Sequence, residues 1–216
     1  MQGNSNSGTD EPTGSLLADP HILGVFKLEV WRQCRFALMA AADIEATVAE
    51  LDDDSKHVDD GGERIMRLTE RVFFALQSLL AAVANLSKLL WGSKKQQPSR
   101  QPLREALEIG EDFSPSIRRM RDQFEHFDSE LEEWARGANH NYVDMNLGEV
   151  SGMSTSLLRN LDPDQLVATF RDEQLELKPI IAAVEALAER AKPDHILRTE
   201  AAQERLVQLR AEGWIP

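Results

Sequence analysis

The chain has 216 residues, 42% hydrophobic and 28% charged, which is enough apolar material for one sizeable core and excludes a largely disordered chain. A single cysteine, Cys34, excludes a disulfide framework and any multi-cysteine zinc site. A formal net charge of −13 opposes generic adhesion to nucleic acid or to an anionic membrane.

With only 12 Gly and 9 Pro, the composition predicts a mainly α protein, a bundle of four or more helices. The charge is uneven: residues 1–62 carry net −8, residues 63–121 net +5 and residues 122–216 net −10. A basic middle third leaves room for a local anion site; the plain alternative is that water-exposed helices carry charge.

Residues 1–18 lack the basic start and long apolar run of an export signal and read as a flexible tail. With a lone unpaired cysteine, this points to a reducing, cytoplasmic setting. Asp19 is a good N-cap and Pro20 suits a first helical position. From there Leu23, Phe26, Val30, Cys34, Ala37, Ala41, Ile44, Val48 and Leu51 recur every three or four residues, one seam ending at Asp52-Asp53-Asp54. Cys34 lies on that seam, which makes it a small buried hydrophobe rather than a reactive thiol. His57 among Asp52, Asp53, Asp54, Asp59 and Asp60 sits in the following loop, a solvated acidic cluster and not a metal site.

A second helix is expected over Glu63 to Trp91. Its apolar stretch from Val72 is long enough to cross a bilayer, but Gln77, Ser78, Asn85, Ser87 and Lys88 interrupt it, so no membrane span is expected. A helix apolar nearly all round is either central in its bundle or covered by a partner chain, which predicts a homodimer. A basic loop, Gly92 to Arg100, and a short helix from Pro102 to Ile109 should follow.

Ser114 and Pro115 then open one continuous helix to Gly137, with a seam of Ile117, Met120, Phe124, Phe127, Leu131 and Trp134. Past it the periodicity lapses. Runs at 156–161 and 166–171 around Asp162-Pro163-Asp164 suggest a β-hairpin, in an insertion of about 138–175. Helical pattern returns from Pro179 to Ala191 and again from Thr199 to Ala211. The expected organisation is a tail at 1–18, a single helical domain at 19–195, and a C-terminal helix and tail at 196–216.

The Ser114 helix carries Arg121-Asp122-Gln123-Phe124-Glu125-His126, an arginine followed after four residues by histidine. That spacing also occurs by chance: Arg119 with His126 and Arg190 with His195 fall in the same window, the latter across Pro193. On the helical wheel Arg121 lies about 90° to one side of the apolar seam and His126 about 130° to the other, so neither belongs to the core stripe. Arg118, Asp122, Glu125 and Ser129 share the polar face, and Asp122 stands one turn before His126. Ordinary surface pairing explains the same residues: Arg121 with Glu125, and Asp122 with His126, each four apart.

The stretch RDQFEHFDSELEEW resembles the motif helix of HEPN-like proteins, the "higher eukaryotes and prokaryotes nucleotide-binding" domains, whose signature is Arg, a polar residue, then His four to six positions after the Arg. The helix containing NLSKLLW is similar to one in an uncharacterised bacterial group with that signature. The resemblance implies a helical bundle that dimerises, in which two Arg/His pairs form one cleft and cut RNA without metal, as in toxin or defence systems. Arg121 and His126 would then be the catalytic residues, with Asp122, Arg118 and Ser129 supporting them, and with no metal and no cofactor. The chemistry is coherent: the ribose 2′-OH supplies the nucleophile, histidine moves the proton and arginine holds the phosphate. The alternative is a non-catalytic helical module that binds a protein partner. His140 with Asp144 is a weaker metal candidate. Trp31, Trp91 and Trp134 fall on or beside apolar stripes, as core or interface residues.

Overall fold

The computed structural model describes residues 15–54, 61–110, 115–137, 142–148, 156–171 and 173–212. Seven helices and six short strands are seen among them: α1 (Pro20–Asp54), α2 (Gly61–Leu90), α3 (Gln101–Ala106), α4 (Pro115–Glu125), α5 (Phe127–Gly137), β1 (Tyr142–Val143), β2 (Asn146–Leu147), β3 (Ser156–Leu157), β4 (Arg159–Asp162), β5 (Val167–Phe170), β6 (Glu173–Glu176), α6 (Lys178–Ala191) and α7 (Asp194–Ala211). The protein is mainly α with a small sheet inserted after the motif helix, as the sequence predicts.

The frame is the hairpin of α1 and α2. Asp19 caps α1, its Oδ1 accepting hydrogen bonds from the backbone N–H groups of His21 at 2.8 Å and Ile22 at 3.4 Å. The predicted seam is the buried face: Val30, Cys34, Ala37, Ala41 and Ile44 are buried, and Leu23, Phe26, Val48 and Leu51 pack beside them. Three polar links fix α2 antiparallel to it: Asn85 to Gln33, Arg71 to Asp43, and Arg64 to Glu50. Helix α2 turns Val72, Leu76, Leu79, Val83, Leu86 and Leu90 into the core. It stops at Gly92, whose φ of +61° is a left-handed conformation that glycine adopts without strain. Helix α6 covers the other side of α1 with Ile180, Val184, Leu187 and Ala191, and α4 covers α2 with Ile117, Met120 and Phe124.

The sheet runs in the order β2-β4-β5-β6, with β2 parallel to β4 and the other pairs antiparallel. Its centre is the anticipated hairpin, with Leu161 opposite Ala168 and Asp162 opposite Val167. The side chain of Asp162 organises the turn by accepting from the backbone N–H groups of Asp164 and Gln165, both at 3.0 Å. Leu161, Ala168, Phe170 and Leu175 are buried, and the ring of Phe170 meets that of Phe124 at 5.1 Å between centroids. This contact seats the sheet on α4.

Four expectations need correction. The motif helix is not continuous: α4 ends at Glu125, α5 begins at Phe127, and His126 stands at the break. Backbone hydrogen bonds still run into and out of His126, at 2.9 and 3.3 Å, so the two helices meet at a bend rather than a loop. Beyond it the seam fails, since Phe127 and Leu131 are exposed and only Trp134 packs against the core. The short third helix is shifted and shortened to Gln101–Ala106, because Glu108 takes a φ of +53° ahead of Gly110. Helix α7 starts at Asp194 rather than Thr199, with the extended Pro193 as its N-cap residue and the acidic Asp194 in its first turn. Within the single chain, Met66, Glu70, Phe74, Gln77, Ala81 and Lys88 of α2 face outward.

Candidate functional site around the helix break

The basic middle third is mostly neutralised where it meets the hairpin. Arg64 pairs with Glu50, Arg67 with Glu63, and Arg71 with Asp43. Arg104 donates to the backbone carbonyls of Leu90 and Gln97, tying the end of α2 to the following loop. Arg100 stacks over Phe26 at 4.6 Å, and Arg104 lies 5.9 Å from the ring of Trp91. These cations hold the fold together, and the polar candidates that remain gather on α4.

There the bend at His126 forms one side of a shallow open groove lined by Arg118, Arg119, Asp122, Gln123, His126 and Glu130. The spacing explains the grouping: positions 119, 122, 123, 126 and 130 recur every three or four residues along one face of α4 and into α5. Two ion-pair groups tie this region to the sheet. Arg119 reaches Glu173 on β6 at 3.1 Å. Arg171, in the turn between β5 and β6 with a φ of +52°, forks onto Glu130 at 2.8 Å and Glu133 at 2.9 Å. Its two carboxylate partners hold the Arg171 guanidinium firmly in its charged form, and it in turn holds the Glu133 carboxyl below the usual range. That clamp fastens α5 to the sheet.

Arg121 and His126 do not share this groove. His126 is exposed and lines it; Arg121 does not. The Arg121 side chain is only 15% exposed, and its guanidinium is taken up by Glu125, one turn on, and by Asp122 at 3.0 Å. Its Nε is buried without a partner. The pairing with Glu125 is the surface alternative that the spacing allowed, and the side chain, off the core stripe but largely sheltered, brings its charge to two local carboxylates. The hydrogen bond from Arg121 lowers the Glu125 carboxyl below its ordinary value, helped by the nearby charges of Lys88 and His126.

Of the supporting residues, Asp122 and Arg118 line the groove. Ser129 is exposed on α5 and is not among the lining residues. Asp122 faces two ways, toward the groove and toward Arg121. Glu130 and Gln123 join the groove without having been singled out by the motif; the wheel position of each one turn from His126 or Asp122 is the signal that marks them. Arg171 had no such signal, because it arrives from 41 residues away in sequence.

The groove's charges nearly cancel: two arginines and a histidine face Asp122, Glu130 and, through Arg119, Glu173. Among the described residues, no group of three or more His, Cys, Asp or Glu could hold a metal ion. Asp144, the candidate partner of His140, is engaged by Arg159 at 2.8 Å, and His140 and His57 lie outside the described residues. Cys34 is buried on the α1 seam, and burial pushes its thiol up to about 12. Trp31 carries Arg35 over its ring at 5.2 Å, and Trp134 packs against the core. No family model matches the chain, and no curated protein and no solved structure matches it either.

Proposed function

We propose that the chain is a non-catalytic helical module that binds protein, and that its Arg-x4-His spacing serves structure. The observation that carries this reading is the state of Arg121. A residue meant to hold a phosphate presents its donors to the ligand. Here the guanidinium is occupied by Glu125 and Asp122, the side chain is 15% exposed, and His126 opens onto a groove that Arg121 does not line. The near-cancelled charge of the groove and the net −13 of the chain also oppose a polyanionic substrate.

A second reading rests on the groove itself, where Arg118, Arg119 and His126 stand together. In it the chain is the HEPN-like ribonuclease or RNA-binding dimer that the motif implies: His126 takes the 2′-OH proton, Arg121 exchanges its carboxylate partners for the phosphate with Arg118 in support, and a 2′,3′-cyclic phosphate and a 5′-hydroxyl are the products.

Purified protein incubated with mixed single-stranded RNA, with and without EDTA, separates the two. The module reading expects no cleavage in either condition. Cleavage that persists in EDTA and disappears in His126→Ala overturns it in favour of the second reading.

A further inference from the structure

Helix α2 passes a length-and-apolarity test for a membrane span, yet 61% of its most apolar window is buried within the protein. Outside stand the first turns, residues 62–67 with Arg71, and along the length of the helix a strip at positions 66, 70, 74, 77, 81 and 88. These positions recur every three or four residues, with the buried Ala84 completing the series, so they form one continuous stripe along the helix. Phe74 at its centre is 72% exposed and Met66 is 55% exposed. Glu70, Gln77 and Lys88 punctuate the stripe with polar groups, which suits a protein partner and not a bilayer.

The neighbouring flank of α1 extends the patch. Asp43, which pairs with Arg71, lies four residues after Met39 and seven after Phe36, so all three share one flank. On α2, Arg71 lies three residues before Phe74, on the same side. The links Asn85 to Gln33 and Arg71 to Asp43 set the register, which places Phe36 and Met39 level with residues 77–81 of α2. Phe36 is 53% and Met39 62% exposed. With Phe74 and Ala81 they make an apolar patch of a kind that marks interaction sites when it is contiguous.

We infer that this face docks on the same face of a second copy of the chain, α2 antiparallel to α2, about a twofold axis between Gln77 and Ser78. The charge order of the stripe selects this occupant. A twofold surface must complement itself, and the stripe does: at one end Glu63 takes up the charge of Arg67 and leaves Glu70 as a net acid, Lys88 is the base at the other, and apolar groups and an uncharged amide lie between. Reversed on itself, it sets Phe74 of each copy against the small Ala81 of the other, level with Phe36. Gln77 then faces its own counterpart near the axis. Glu70 stands within about one helical turn of Lys88 in the other copy, a gap that two long side chains span. Lys88 also lies close enough to Glu125 of its own chain to help lower that carboxyl, so it would join two acids at the rim. This pairing leaves Lys88 about 16 Å from the axis at 1.5 Å per residue, so the two His126 grooves fall at opposite ends and form no shared cleft.

The inference rests on the binding-module reading and names its partner, yet the two fail separately: RNA cleavage overturns that reading, and mass overturns this one. Light scattering on the full chain at micromolar concentration should give twice 24.3 kDa. Phe74→Arg and Ala81→Arg, both at exposed positions, should each give the monomer mass with the helical circular dichroism unchanged. Glu70→Lys and Lys88→Glu should each weaken the dimer at least tenfold, and the double exchange should restore it. A wild type at the monomer mass overturns the inference. So does a dimer untouched by both arginine variants, or a double exchange no tighter than the single ones.

Discussion

The α1–α2 hairpin and the α4–α5 pair carry the same kind of sequence signal and treat it differently. In both, apolar residues recur every three or four positions. In the hairpin every seam residue from Val30 to Ile44 is buried or packed, because α2 on one side and α6 on the other give that face two partners. In the α4–α5 pair the seam is buried at Ile117, Met120 and Phe124, then exposed at Phe127 and Leu131. Periodicity specifies which residues share a face; only a surface to pack against makes that face a core. Phe170 of the sheet meets Phe124, and beyond it α5 is held by the Arg171 clamp and by the single apolar contact of Trp134.

The sharpest test of that contrast is truncation of matched seam leucines. Leu86→Ala, fully buried in the hairpin, should lower the unfolding free energy by about 2–5 kcal/mol. Leu131→Ala, equally regular in spacing but exposed, should stay within about 0.5 kcal/mol. Denaturant titration of both variants checks this, and similar losses would erase the distinction.

Gly92→Ala is next in size. An added Cβ would need the left-handed φ of +61° and would sit 2.9 Å from the Cβ of Gln96. A cost of about 1–2 kcal/mol is expected from the conformation alone, measurable as a lower Tm of the hairpin's cooperative transition.

Within the motif, the two residues should separate. Arg121→Ala removes a largely buried stem and strands two carboxylates, and should cost about 1 kcal/mol, the typical value for a point change. His126→Ala, exposed at the bend, should cost less than about 0.5 kcal/mol. The reverse order by thermal unfolding would mean that the histidine, not the arginine, anchors the bend.

The smallest effect belongs to the clamp and is visible through pH. The Glu133 carboxyl is lowered by its hydrogen bond from Arg171. A carboxylate lowered on folding stabilises the protein above its ordinary, unfolded-state value and loses that contribution as pH falls through the folded value. Arg171→Gln should therefore shift the urea midpoint slightly at pH 7, and the shift should shrink toward zero on acidification below about 4, the ordinary carboxylate range. A difference that grows in acid contradicts the clamp.

The same contrast governs how much of the molecule is legible in its sequence. The start of α1 is legible because Asp19 and Pro20 state it chemically, and the hairpin turn at Asp162 because its carboxylate organises its own backbone. The break at His126 is not legible, since neither proline nor glycine stands there and the local pattern continues on both sides. Its cause is remote: from the sheet, Phe170 packs on α4 before the break and Arg171 clamps α5 after it. The candidate site is legible as a set of polar residues on one helix. Which of them meet is not, because the direction of Arg121 depends on whether its stem finds packed surface, and spacing carries no information on that.

The polar links of the hairpin have a kinetic consequence. They join residues 14, 28 and 52 apart, in steadily widening steps from the loop that connects the two helices. Each closure shortens the loop that the next must close, so ordering spreads outward from the turn with little added entropy cost at each step. The hairpin should thus zip early, on the microsecond-to-millisecond scale of locally connected helices, ahead of α6, whose packing on α1 closes a far longer loop. Cys34, on the α1 seam, is buried by that packing, so the loss of its reactivity toward a thiol reagent would time the closing of this face.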